Sequence, residues 1–158
     1  MTRLPGRLRI GLISDTHGLL RPEALDYLAG CDHIVHGGDI GGPDILERLG
    51  KIAPLTVVRG NNDTAAWARA IPETVRLDLG GVGLFVIHDL KALAIDPAAV
   101  GLRVVIAGHS HKPSRTERGG VLYVNPGSAG RRRFSLPISA GELLIENGQV
   151  EVKLATLV

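Results

Sequence analysis

Two short stretches pair side chains that commonly bind metals, in each case two residues apart. The stretch SDTH places Asp15 before His17, and the stretch GHSH places His109 before His111. In an extended chain, residues i and i+2 project to the same side. Each stretch therefore presents two metal-binding groups together.

Three more polar residues of the same kind end other apolar runs: Asp39 in HGGDI, Asn61 in RGNND and His88 in LFVIH. Imidazole, carboxylate and amide oxygen suit first-row ions, so we expect Mn, with Ni, Fe or Zn as alternatives. The seven candidate ligands exceed what one tetrahedral ion takes. We therefore predict two divalent transition-metal ions about 3.5–4 Å apart, bridged by the Asp39 carboxylate.

The apolar runs that precede these residues predict the elements that must position them. Short runs rich in Val and Ile are typical of strands buried on both faces. Two segments between the first three runs, 22–30 and 43–50, open with Pro and an acid and close with Gly, which predicts helices. The predicted strands lie within 8–14, 33–37, 55–60, 84–88 and 103–108.

This order predicts a parallel β-α-β-α-β unit followed by antiparallel hairpins. The hairpins are expected at 75–88, around Gly-Gly, and at 143–154, around Asn-Gly. An α/β sandwich with mixed sheets is the simplest architecture that fits both halves. In such sheets, sites form outside the carboxyl ends of the parallel strands, so the seven side chains should converge.

Length and composition predict a single globular domain over residues 1–158, with 44% hydrophobic and 22% charged residues. The formal charge of +2 does not indicate a nucleic-acid partner. Cys31 is the only cysteine, which excludes a CxxC redox pair and a Cys-rich zinc site and predicts a small buried thiol. No signal peptide and no membrane span are expected, so we expect a cytoplasmic location.

The order of these motifs resembles that of the calcineurin-like metallophosphoesterases. SDTHGLLRPEAL, HGGDI, RGNND, AGHSH and YVNPGS are similar to the small prokaryotic phosphodiesterase branch of that superfamily. The resemblance implies two mixed sheets packed as a sandwich flanked by helices. It also implies hydrolysis of a phosphate-ester substrate by a hydroxide that bridges two metals.

The resemblance further implies a division of the ligands between the two metals. One metal would take Asp15, His17, Asp39 and His111, and the other Asp39, Asn61, His88 and His109. The residues expected to act in catalysis are Asn61, Asn62 and His88.

The sequence departs from the family pattern at Asn62. Active branches of the superfamily place a His there, which is thought to protonate the leaving group or bind the phosphate. An amide can donate a hydrogen bond but supplies no proton at neutral pH. Esters whose leaving groups need protonation should therefore be hydrolysed most slowly.

Several neighbouring residues have two interpretations each. Asp89 is either an acceptor for a ligand imidazole or a plain loop residue, and His36 either orients the site or is a structural strand histidine.

Asp63 is expected to cap a short helix in TAAWARAI. His33 is expected at the surface. Asn125, Gly127 and Ser128 either shape a turn beside the site or serve the loop alone, and Arg131–Arg133 either meet a phosphate or form a solvated charge run.

Other classes of protein fit less well. A metal-dependent amidohydrolase barrel needs roughly 250 residues. A dinucleotide-binding protein would carry GxGxxG after its first strand, and GLISDTHG does not match that pattern. The main alternative is a non-catalytic protein-interaction scaffold of the same fold with a residual metal site. The sequence leaves the substrate and a homo-oligomeric state open.

Overall fold

The computed structural model describes residues 7–133 and 135–158. The first six residues of the basic amino-terminal stretch therefore lie outside the described residues. The described chain begins with the predicted alternation of strands and helices. Its elements are β1 (Arg7–Ile13), α1 (Pro22–Leu28), β2 (His33–His36), α2 (Pro43–Gly50) and β3 (Leu55–Val57).

Strands dominate the rest of the described chain. Short 3₁₀ helices occur at Ala66–Ala68, Leu90–Ala92 and Ala98–Val100. The strands are β4 (Thr74–Leu79), β5 (Val82–Ile87), β6 (Val104–Ile106), β7 (Ser114–Arg118), β8 (Val121–Asn125), β9 (Ser139–Glu146) and β10 (Gln149–Thr156).

The strands form two mixed five-stranded sheets, with the orders β10-β9-β1-β2-β3 and β4-β5-β6-β8-β7. In the first sheet β1, β2 and β3 are parallel, and β9 pairs with β1 antiparallel. In the second sheet β5, β6 and β8 are parallel. The predicted fold class is confirmed, because both sheets are mixed and helices are few. The carboxyl ends of the parallel strands point to the loops that carry the candidate ligands.

The main core lies between the two sheets. Ile10, Leu12 and Val35 of the first sheet pack in one cluster with Leu84 and Ile106 of the second, all fully buried. Full burial of such a side chain stabilises the fold by about 1.5–3 kcal/mol. The two sheets are therefore held rigidly against each other below the candidate site.

Both α-helices pack with the first sheet. Pro22 and Pro43 open them, and Glu23 and Asp44 lie in their first turns, where a negative charge favours the helix dipole. Leu28 and Ile45 are buried in a second cluster that also holds Cys31, so the thiol is buried as predicted. No helix within the described residues is both long and apolar enough to cross a bilayer.

Three details of the described chain differ from what the sequence predicts. The helix expected in TAAWARAI is only a 3₁₀ turn at Ala66–Ala68, because its single buried residue, Ala68, gives no apolar stripe to support a longer helix. The hairpin of β7 and β8 was not predicted, since every residue of β7 is exposed and polar. His33 is half-buried rather than on the surface, and its Nε2 atom lies 2.7 Å from the Thr56 hydroxyl.

Candidate metal centre

The candidate ligands lie on loops with an unusual backbone. Among the described non-glycine residues, six have a positive φ, and five of them are candidate ligands. The sixth is Asn147 in the β9–β10 turn. Such a conformation costs about 1–3 kcal/mol per residue and persists where the surrounding structure enforces it, most often at functional sites. The five are Asp15 (53°), His17 (46°), Asp39 (57°), His109 (72°) and His111 (63°).

Backbone hydrogen bonds hold these loops together. Asp15 N donates to Gly38 O and His17 N donates to Asp39 O, both at 2.9 Å, which joins the loop after β1 to the loop after β2. Gly108 N donates to His88 O at 2.9 Å and so joins the loops after β6 and β5. His109 N donates to Asp15 Oδ2 at 3.2 Å and so joins the loop after β6 to the loop after β1, which brings the strand ends of both sheets together.

One group of candidate ligands consists of Asp15, His17 and His111. The His111 Nε2 atom lies 3.4 Å from His17 Nε2 and 3.6 Å from Asp15 Oδ1. Asp15 Oδ1 is buried and has no hydrogen-bond partner among the described residues. A buried carboxylate oxygen without a donor, beside two imidazole nitrogens, fits a cation better than it fits a packing role.

The second group consists of Asp39, His88 and His109, with Asn61 beside them. Asn61 Oδ1 lies 2.9 Å from His88 Nε2 and 3.2 Å from His109 Nδ1. Asp39 Oδ2 lies 3.3 Å from His88 Nε2. An amide oxygen, a carboxylate and two imidazoles thus face one point, and this donor set also suits a first-row ion.

Asp39 connects the two groups. Its Oδ2 atom lies 3.6 Å from His17 Nε2 in the first group, in addition to its contact with His88 in the second. The structure therefore brings all seven candidate ligands together, with Asp39 at the junction. Their roles as metal ligands stay a prediction.

The pKa values of Asp39, His17 and His111 are shifted in the direction that favours cation binding, whereas the pKa values of Asp15 and His88 are raised. Burial alone would raise the pKa of Asp39, but hydrogen bonds from His88 and Asn62 outweigh it and hold that pKa well below its usual range. Burial and the charge of Arg133 lower the pKa of His111 to about 4, and burial lowers that of His17. Burial raises the pKa of Asp15 to about 7. Neutral imidazoles and an ionised Asp39 are the forms that bind a metal.

Asn62 lies against this site. Its backbone N–H donates to Asp39 Oδ1 at 2.9 Å, and its side-chain amide donates to Asp39 Oδ2 at 3.1 Å. The pair of bonds fixes the orientation of the Asp39 carboxylate. The predicted place of Asn62 at the site is compatible with this geometry, and its catalytic role stays a prediction.

Asp63 does not cap a helix, so that expectation was wrong. Its carboxylate is buried and accepts hydrogen bonds from the backbone of Ile40 (2.9 Å), Gly41 (3.2 Å) and Gly60 (2.9 Å). The 3₁₀ helix at Ala66–Ala68 has no side-chain cap. Asp63 instead ties the loop that carries Asp39 to the loop that carries Asn61, because three backbone donors there need an acceptor.

His36 lies buried below the site. Its Nε2 atom is 3.0 Å from the Thr16 hydroxyl, and its Nδ1 atom accepts from Gly38 N at 3.0 Å. Burial lowers the pKa of His36 to about 3, which keeps the ring neutral. The ring therefore links the loops after β1 and β2, which suits a structural strand histidine.

Residues of the NPGS stretch contact the ligand loops directly. Asn125 donates to Gly108 O at 2.8 Å, and the Ser128 hydroxyl donates to Asp15 O at 3.1 Å. Asp89 Oδ2 lies 4.0 Å from His109 Nε2, but its other oxygen accepts from Lys91 N at 3.0 Å. The first two residues thus support the turn beside the site, whereas Asp89 both caps its own 3₁₀ helix and faces an imidazole.

Residues 8–148 match the model of the calcineurin-like phosphoesterase superfamily domain. A probable metallophosphoesterase of Methanothermobacter thermautotrophicus is 33% identical over 140 residues, which cover 81% of this chain and 81% of that protein. The phosphodiesterase YfcE of Escherichia coli is 30% identical in an alignment of 166 positions, gaps included, which covers 86% of this chain and 87% of that protein.

The fold is also similar to that of solved structures. Vacuolar Protein Sorting 29 from Cryptosporidium parvum superimposes with a TM-score of 0.76 at 20% identity. The match covers 94% of this chain and 97% of that chain. At this identity the likeness concerns the fold alone.

Proposed function

This chain belongs to the calcineurin-like phosphoesterase superfamily, and we propose that it is a metal-dependent phosphodiesterase. One observation carries the proposal: two groups of metal-binding side chains share the Asp39 carboxylate at the ends of the parallel strands. The name of the Escherichia coli relative supports a diester over a monoester as the substrate.

The ligands would be divided between two cations. Asp15, His17 and His111 would hold one with Asp39, and Asn61, His88 and His109 would hold the other with Asp39. Bound divalent ions would supply Lewis acidity toward phosphoryl oxygens and lower the pKa of a bound water. We propose Mn as the ion, with Ni, Fe or Zn as alternatives that the mixed nitrogen and oxygen donors suit as well.

Other residues of the chain would orient the ligand side chains and attract the substrate. Asn62 holds the Asp39 carboxylate through two hydrogen bonds, and His88 Nδ1 lies 2.7 Å from Gly37 O, which fixes the orientation of that ring. The positive charge of Arg133 acts on His17 and His111 and so lies near the first group. It would attract the phosphate of a diester.

A second candidate is a protein-interaction scaffold with a residual metal site. Asn62 favours it, because a site without a proton donor at that position is a weaker catalyst. The complete set of seven ligand side chains favours catalysis instead.

Metal analysis followed by kinetics separates the two candidates. Bound metals are measured first, and hydrolysis of a bis-aryl phosphate is then compared with that of the aryl monoester under Mn, Ni, Zn and Mg. We expect turnover of the diester with at least one transition metal and slower turnover of the monoester. Absence of turnover with every metal would refute the phosphodiesterase and favour the scaffold.

A further inference from the structure

A groove on the outer face of the second sheet opens beside His109. Its volume is about 740 Å³, within the range of about 300–1,000 Å³ that is usual for small-molecule sites. We propose that this groove binds an aromatic ester group of the substrate, a proposal that rests on the phosphodiesterase function above. We call it the ester groove; Val105, Ala107, His109, Thr116, Arg118 and Tyr123 are among its lining residues.

The ester groove is continuous with the candidate metal centre. Gly108, His109 and Ser110 line it, and His109 is also a member of the second group of ligands. A phosphate placed at the metal centre would therefore have one of its two ester groups at the mouth of the groove. This continuity favours a part of the substrate as occupant over a separate ligand.

The inner wall of the groove is apolar. Val105 on β6 and Ala107, which continues β6 toward the metal centre, are buried in one apolar cluster on this face of the sheet, and Tyr123 on β8 packs against it. An apolar wall gains free energy when it removes an apolar group from water. A small alkyl group such as methyl would leave most of this volume unfilled.

Tyr123 and Arg118 make the groove suitable for a planar ring. The guanidinium carbon of Arg118 lies 4.5 Å from the centre of the Tyr123 ring, and both side chains line the groove. Aromatic rings and guanidinium groups both attract the face of another ring. The lining cations Lys91 and Arg118 outnumber the lining carboxylate of Asp89, and so favour an ester group attached to an anionic phosphate.

Strand β7 provides matched variants for a test. Ser114, Thr116 and Arg118 alternate along β7 and line the groove. Glu117 is equally exposed and projects from the opposite side of the same strand. Thr116→Trp should fill the groove, Tyr123→Ala should remove its aromatic surface, and Glu117→Trp should leave it open.

Binding of phenylphosphonate and methylphosphonate to the Mn-loaded protein tests the proposal without any turnover. Wild type and Glu117→Trp should bind phenylphosphonate about tenfold more tightly than methylphosphonate. Thr116→Trp and Tyr123→Ala should bind both with similar affinity. Unchanged methylphosphonate binding in the four proteins shows that the variants fold and keep the metal centre.

Equal binding of the two phosphonates by the wild type would overturn the ester groove. A wild-type preference for phenylphosphonate in both Thr116→Trp and Tyr123→Ala would overturn it as well. Hydrolysis of methyl p-nitrophenyl phosphate and of phenyl p-nitrophenyl phosphate is measured separately. A phenyl preference in binding without turnover of any diester would refute the phosphodiesterase but retain the groove. Turnover of a diester without any phenyl preference in binding would overturn the ester groove and support the phosphodiesterase.

Discussion

At the scale of single residues, the candidate ligands combine metal-binding chemistry with a strained backbone. Five of them have a positive φ, a conformation that disfavours any side chain with a Cβ atom. Glycine would relieve this strain but would bind no metal. The side chains must therefore be retained for what they do at the site.

The strain predicts an unusual order of stability among metal-free variants. At His109, where φ is 72°, the Gly variant should be more stable than the Ala variant by about 1 kcal/mol. At His88, whose φ is not positive, the Ala variant should be the more stable of the two. Chemical denaturation of the four variants measures both differences, and the same order at both positions would contradict the strained backbone.

Asn62 gives the residue-scale prediction about catalysis. General-acid assistance contributes roughly 10²–10⁴ in rate, and an amide cannot supply it. We expect activated aryl diesters to be cleaved measurably and alkyl diesters very poorly, and Asn62→His to speed the alkyl substrates selectively. The measurement is a leaving-group series under one metal load, with Asn62→Ala as the control that gains no titratable ring. An equally steep dependence on leaving-group pKa in wild type and Asn62→His would show that residue 62 does not occupy the position of the acid.

At the scale of elements, the loop after β3 fits closely against Asp39. A methyl group on Gly60 would overlap the backbone nitrogen and the carboxylate of Asp39, whereas one on Gly50, at the end of α2, would meet no atom within 4 Å. Glycine at position 60 thus lets two loops approach and places Asn61 beside the second group.

This contact predicts opposite effects of the same substitution. Gly60→Ala should displace Asp39 and lower Mn affinity by at least about tenfold, since small shifts of a ligand disturb coordination. Gly50→Ala should leave Mn affinity unchanged and stabilise α2 by about 0.5–1 kcal/mol. Calorimetric Mn titration and thermal unfolding of both variants check this, and wild-type Mn affinity in Gly60→Ala would argue against the tight loop contact.

The sequence predicts the buried elements better than the exposed ones. Apolar runs before Asp15, Asp39 and His109 mark β1, β2 and β6, because a strand buried on both faces is apolar throughout. Strand β7 carries no such signal. The role of Asp63 could not be predicted, since its partners Ile40 and Gly41 are brought to it only by the fold.

In the whole molecule, the candidate metal centre lies between loops of the two sheets. His17 follows β1 of the first sheet, and His88 and His109 follow β5 and β6 of the second. A cation held by both sets of loops binds only the folded chain, so it should stabilise the packing of one sheet on the other.

Metal binding should therefore raise the melting temperature of the protein. A Mn concentration about 100 times Kd adds about 2.7 kcal/mol per site, or about 5–10 °C for a chain of this size. Thermal unfolding with Mn and with a chelator measures the shift. Identical melting temperatures in the two conditions would indicate that no ion binds the native fold.

If Asp39 joins two cation sites, the Asp39→Ala variant should lose Mn from both. Metal analysis of the loaded wild type should give about two ions per chain, and the variant should lose both because each group shares this carboxylate. Asp96→Ala, which removes an exposed carboxylate outside the site, should keep the wild-type content. Full Mn occupancy in Asp39→Ala would show that this carboxylate does not bridge two cations.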